Sequence, residues 1–252
     1  MSDAQDSTVS EGALNYFSAS RSFALSIVSI LPLIVLYHCG IVQSGYPVRN
    51  LAEIWLQGPL ELVGLHAAHI LNIALIIALV AVLWRSEVKQ SAGLFVIALM
   101  MLEGMFYAML LYKGGDVVAR AVHEQASRVF FAIEMERFAP LLLALGAGVY
   151  EELLFRLLLV GGGVLLFTRV FLWNRALSTT VALVASGVLF ALAHHIGPMS
   201  DDFDSYVFVF RAVSGVLLGL IYVFRGLGIA VWTHATYNAL VVIAMSGAAT
   251  SA

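Results

Sequence analysis

This sequence predicts an all-α, polytopic integral membrane protein of about eight transmembrane helices, with seven as the alternative, enclosing a polar site inside the membrane. Of its 252 residues, 61% are hydrophobic and 12% charged, and the mean hydropathy is +0.94. Soluble globular domains hold about 45–50% apolar and about 25% charged residues. Apolar runs near the length of about 20 residues that a bilayer core demands recur along the chain. The alternating ten-residue pattern of a membrane β-barrel is absent.

The opening stretch, Met1 to Arg21, is polar, slightly acidic and rich in Ser and Ala. It lacks the basic region and small-residue cleavage site of a signal peptide, so the first apolar run is expected to stay as an anchor. The first three spans are Phe23 to Val42, Leu60 to Trp84 and Ser91 to Tyr112. Lys113 to Arg137 follows with Arg120, Glu124, Arg128, Glu134 and Glu136 at helical spacing, which suits a connecting helix at the membrane interface. Pro140 to Trp173 is too long for one span, and Gly161-Gly162-Gly163 marks the expected break, since glycine disfavours helix. That places spans at Pro140 to Val160 and Val164 to Trp173, then at Leu177 to His195, Tyr206 to Phe224 and Leu227 to Met245.

The chain thus divides into a polar tail (1–22), three N-terminal spans (23–112), a charged connecting helix (113–138) and a helical core (139–247). The acidic loop between His195 and Tyr206 reads as solvated connection. With eight spans, the Lys and Arg distribution favours both termini outside; merging the two spans around the glycines erases that bias. A net charge of −3 carries no nucleic-acid footprint. One cysteine, Cys39, excludes a disulfide framework and a thiolate metal site.

Charge inside such apolar runs is costly, about 2.5–3.5 kcal/mol per group near the bilayer centre on insertion scales. Yet Gly-Val-Tyr-Glu-Glu-Leu-Leu-Phe-Arg, residues 148–156, carries Glu151, Glu152 and Arg156. Residues four apart share a helix face, so Glu152 and Arg156 pair and offset each other's burial. Glu151 points about 100° away, without a partner on its own helix, on a face with Ala147, Gly148 and Phe155. Small residues there allow close approach of another helix or a substrate. A carboxylate among apolar side chains suits a general base working near neutral pH. Two further spans carry polar residues at one-turn spacing, Phe190 with His194 and His234 with Asn238. Imidazole and amide groups orient water, shuttle protons or donate to an oxyanion. Together these groups suffice for water-driven amide hydrolysis.

The three segments Glu151-Glu152-Leu153-Leu154-Phe155-Arg156, Phe190-Ala191-Leu192-Ala193-His194 and His234-Ala235-Thr236-Tyr237-Asn238 resemble, in order and spacing, the motifs of the CPBP family. These are the CAAX-prenyl-protease and bacteriocin-processing (Abi) intramembrane proteases, and the resemblance covers roughly residues 140–245. It implies that Glu151 activates a water with help from His194, that His234 and Asn238 stabilise the oxyanion, and that Glu152, Arg156 and Phe190 support the site. It implies membrane lipid and a protein or peptide with a hydrophobic or lipidated segment as partners, and a prokaryotic cytoplasmic membrane as the location. Glu151, His194 and His234 also form a chemically sufficient zinc set. The family's glutamate mechanism and the lack of HExxH make no cofactor the expectation, with zinc as the alternative.

Other polar residues lie in the N-terminal spans: Glu61, His66, His69 and Glu103. Glu103, near mid-span, is expected to face protein or water, and Arg211 to snorkel towards the interface. The competing functions are a proton- or ion-coupled transporter, and a non-catalytic immunity or adaptor protein of the same fold. A transporter commonly shows internal repeats, and none is evident.

Overall fold

A computed structural model describes residues 16–44, 49–62, 77, 90–122, 139–196, 200 and 202–249. Among them the regular elements are all helical: α1 (Phe23–Ser44), α2 (Leu51–Leu62), α3 (Gln90–Val122), α4 (Ala139–Glu152), a π-helical segment (Leu153–Gly162), α5 (Gly163–Arg169), α6 (Arg175–Ala193), α7 (Ser205–Arg225) and α8 (Leu227–Ala249). Helices α1, α3, α6, α7 and α8 are long and apolar enough to cross a membrane. In a bilayer the backbone must satisfy its own hydrogen bonds, which leaves helices as the solution for such runs. The span expected at Leu60 to Trp84 lies outside the described residues, except for its first three residues, at the end of α2, and Ile77. So do His66, His69 and the connecting helix beyond Val122.

Three boundaries differ from the sequence reading. The three glycines do not break the chain: Gly162 and Gly163 keep helical dihedrals, and the Gly163 N–H bonds the carbonyls of Leu159 and Val160. Ala139 to Arg169 is continuously helical, through α4, the π segment and α5. Glycine's penalty is measured in water, where an opened helix finds other partners; in lipid, freeing those backbone groups costs several kcal/mol each. The break expected here is therefore absent, as in the seven-helix alternative, and the charge bias that oriented the termini disappears with it. Second, α3 runs on through Val122, past the boundary expected at Tyr112, because Lys113 to Val122 offers no proline. Third, α2 begins at Leu51, where no helix was expected. Asn50 caps it, its Oδ1 accepting the Ala52 N–H at 2.8 Å.

Helix α8 packs against α1, α3, α4 and α7 and is the most buried of the five candidate spans. The main core joins Ile27, Ile30, Leu33 and Tyr37 of α1 to Val149 and Tyr150 of α4 and Val231, Trp232 and Ala235 of α8. Trp232 Nε1 donates to the Ser29 carbonyl at 2.9 Å, stapling α8 to α1. Gly148 sets the α4–α8 crossing: a Cβ there would lie 2.5 Å from Ala235 Cα. The small residues around Glu151 thus receive another helix. Gly226, with φ 95°, turns α7 into α8 within one residue, a conformation that favours glycine. Large apolar side chains face outward on α3 (Leu94, Phe95, Phe106), α6 (Val184, Val188) and α7 (Val209, Val213), as a lipid-contacting surface requires.

Candidate active site

The site forms where α4 passes into the π segment, against α6 and α8. Glu152 and Arg156 are fully buried, with Arg156 Nη1 2.8 Å from Glu152 Oε1. That contact lacks hydrogen-bond alignment, so charge rather than direction holds the pair. Arg156 also reaches other elements: Nη2 donates to the Gly215 carbonyl of α7 at 3.1 Å, and its Cζ lies 4.8 Å from the Phe190 ring centroid, a cation–π arrangement. Ser186 of α6 donates to the Phe155 carbonyl at 2.8 Å, tying the π segment to its neighbour. Single π turns inside helices recur at functional sites.

His234 of α8 sits between the two glutamates. Its Nδ1 lies 2.7 Å from Glu152 Oε1, and its Nε2 lies 3.7 Å from Glu151 Oε2. Glu152 is therefore more than a partner for Arg156, since it also orients the imidazole. The Glu151 side chain keeps 14% of its surface exposed while Glu152 keeps none. The separation between Glu151 and His234 exceeds a hydrogen bond, so the carboxylate is near the imidazole without being consumed by it.

Phe190 organises the other side. Its ring meets the rings of Phe155, His194 and His234 edge-on, with centroids 5.3, 4.9 and 5.7 Å away. His194, just past the end of α6, engages the Phe190 carbonyl through Nδ1 at 2.8 Å, which leaves Nε2 for other work. Glu151 and Arg211 both act electrostatically on His194. Arg211 is buried rather than snorkelling, because its face of α7 packs towards α6 and α8. Asn238, one turn beyond His234, is partly buried and has no hydrogen-bonding side-chain partner among the described residues.

A second polar group, which the sequence reading missed, reaches the site from α1 and α2. Asn50 Nδ2 donates to Glu151 Oε1 at 3.4 Å. Tyr37 donates to Glu53 at 2.6 Å, Gln57 to Glu53 at 3.0 Å, and Arg49 to Gln57 at 2.7 Å. The Asn50 N–H donates to the Tyr37 hydroxyl at 3.4 Å, and Tyr150 pairs with His38 at 2.7 Å. A signal was present: Asn50-Leu51-Ala52-Glu53 has a capping residue followed three positions later by glutamate, the mark of a helix start.

Glu103 faces protein, bonded to Arg225 Nη2 at 2.7 Å and to the Tyr16 hydroxyl. Glu61 is exposed at the end of α2. Among the described residues no group of three His, Cys, Asp or Glu side chains is placed to hold a metal. Glu151, His194 and His234 are neighbours without converging as ligands.

Residues 134–240, which include all three motifs, match the family model of type II CAAX prenyl endopeptidases described as Rce1-like. The resemblance to the CPBP proteases is thereby borne out, and the endopeptidase activity in that description is the family's. No curated protein and no solved structure matches the chain.

Proposed function

We propose that this protein is a CAAX-type intramembrane endopeptidase that hydrolyses a peptide bond near a lipidated or membrane-embedded segment, with Glu151 as the base. The observation that carries this reading is the contrast between adjacent carboxylates. Glu152 is fully buried and bonded to His234 and Arg156, while Glu151 stays partly open, 3.7 Å from His234 Nε2. Glu151 takes a proton from water as the oxygen attacks the scissile carbonyl. His194, under the Glu151 field, orients that water through its uncommitted Nε2. The negative charge that develops on the carbonyl oxygen is met by His234 and Asn238, on one face of α8. Glu152 holds Nδ1–H of His234, and His234 meets the oxyanion as the imidazolium, its second N–H, on Nε2, directed away from Glu152 towards the reacting centre. Collapse of the tetrahedral intermediate breaks the C–N bond, and the proton held by Glu151 passes to the leaving amine.

Helical walls with apolar side chains suit a prenylated C-terminus, a leader peptide or a C-terminal sorting signal as substrate. Following the resemblance to bacteriocin-processing enzymes, we place the protein in a prokaryotic cytoplasmic membrane and assign it no cofactor. The test uses purified protein in proteoliposomes and a farnesylated CAAX-type fluorogenic peptide. Glu151→Ala and His194→Ala should each abolish cleavage while leaving abundance and melting behaviour intact; full activity in either variant overturns the mechanism. Activity retained after exhaustive chelation is the expected result, and loss restored by zinc overturns the assignment of no cofactor.

A further inference from the structure

We propose that Asn50 is a positioning residue for Glu151, so that the α1–α2 region, outside the matched segment, completes the site. This rests on the reading of Glu151 as the base. Asn50 is locked by three separate bonds. Its Oδ1 accepts the Ala52 N–H at 2.8 Å, which fixes the amide flip and turns Nδ2 towards Glu151 Oε1 at 3.4 Å. Its backbone N–H donates to the Tyr37 hydroxyl, which in turn donates to buried Glu53. In a capping box the glutamate at the third helical position reaches back to the capping residue's N–H directly; here it does so through a tyrosine. Tyr37 is held close because Gly146 of α4 has no Cβ, which would otherwise collide with the Tyr37 ring. The asparagine is thus anchored to α1, α2 and α4 together.

The chemistry of the donor matters. A lysine or arginine at this place would form an ion pair with Glu151 and suppress its basicity. A neutral amide restrains the carboxylate and leaves it a base. The two oxygens become distinct: Oε1 faces Asn50, and Oε2 faces His234 and the reacting centre. Preorganisation of this kind fixes a reacting group before substrate arrives.

The experiment separates capping from positioning in the full-length protein in proteoliposomes. Asn50→Ser keeps an oxygen able to cap α2 and removes the amide donor. With the farnesylated peptide, Asn50→Ser should lower kcat about tenfold, the worth of one hydrogen bond to a charged group, with KM and melting temperature unchanged. Asn50→Asp, also a good cap, should lose more by setting a second carboxylate against Glu151. Wild-type kcat in Asn50→Ser overturns the proposal and leaves Asn50 a helix cap alone. A readout independent of turnover is modification by dicyclohexylcarbodiimide, read by peptide mass spectrometry. Glu151 should label several-fold faster in Asn50→Ser, with exposed Glu61 unchanged as an internal control. Equal labelling of Glu151 overturns the proposal even if no peptide is cleaved. Faster labelling in a protein whose wild type cleaves nothing instead sinks the protease reading.

Discussion

Two glutamate–arginine pairs among the described residues, one fully buried and one partly buried, differ in what else they hold. Glu152 and Arg156 lie one turn apart, with both side chains fully buried. Glu103 and Arg225 come from α3 and α7, with side chains 17% and 10% exposed. Each glutamate also binds a third group, His234 in the first pair and Tyr16 in the second. The third group decides the role. In the mechanism proposed above, an imidazole between two carboxylates relays the pair's orientation to the reacting centre. A phenol ties down residues 16–20, where Arg225 also lies over the Phe17 ring, 4.3 Å from its centroid. Burial, and then the Glu103 carboxylate, push the Tyr16 phenol up, so it stays a donor across any working pH.

The largest effect is expected from Arg156→Ala, which leaves the buried Glu152 without its arginine counter-charge. Removing one partner of a buried pair costs about 3–5 kcal/mol, so melting in detergent should fall sharply and cleavage vanish. Arg156→Lys should restore little of either, because one ammonium cannot serve Glu152, the Gly215 carbonyl and the Phe190 face together. Unchanged melting in Arg156→Ala would mean that Glu152 needs no counter-charge. Gly148→Ala comes next. Its Cβ would collide with the α8 backbone at Ala235 and move His234 away from the glutamates. Overpacking of this kind costs about 1–3 kcal/mol, and cleavage should fall by a larger factor than stability alone explains; wild-type turnover would show that the α4–α8 spacing does not set the site. Arg225→Ala should be mildest, roughly 1–3 kcal/mol for lost hydrogen bonds between charged groups. It should expose the segment around Tyr16 to limited proteolysis while kcat of the surviving protein stays near wild type. A collapse of kcat would join the two pairs functionally.

The contrast also explains what could be read from the sequence. Glu152–Arg156, Phe190–His194 and His234–Asn238 are legible because one helical turn links each pair. The spans at α6, α7 and α8 are legible because apolar length in a bilayer leaves few alternatives. Glu103–Arg225 and Asn50–Glu151 join residues about a hundred positions apart or more, and no local periodicity encodes them. The glycine break does not form because the helix keeps its backbone bonds through Gly162 and Gly163, which a propensity measured in water does not foresee. Helix α2 escapes a reading by apolar length, because its start is marked only by the cap signal in four residues, Asn50 to Glu53.

Local chemistry in the chain therefore suffices for the all-helical membrane class, the three polar motifs and the pairing of Glu152 with Arg156. Periodicity and bilayer energetics act over a few turns, and the sequence records them directly. That His234 bridges both glutamates, that Gly148 sets the approach of α8, and that Asn50 holds Glu151 from another region follow from helix packing. Those contacts depend on crossing distances of a few ångströms between segments far apart in the chain. Only the assembled bundle specifies such distances.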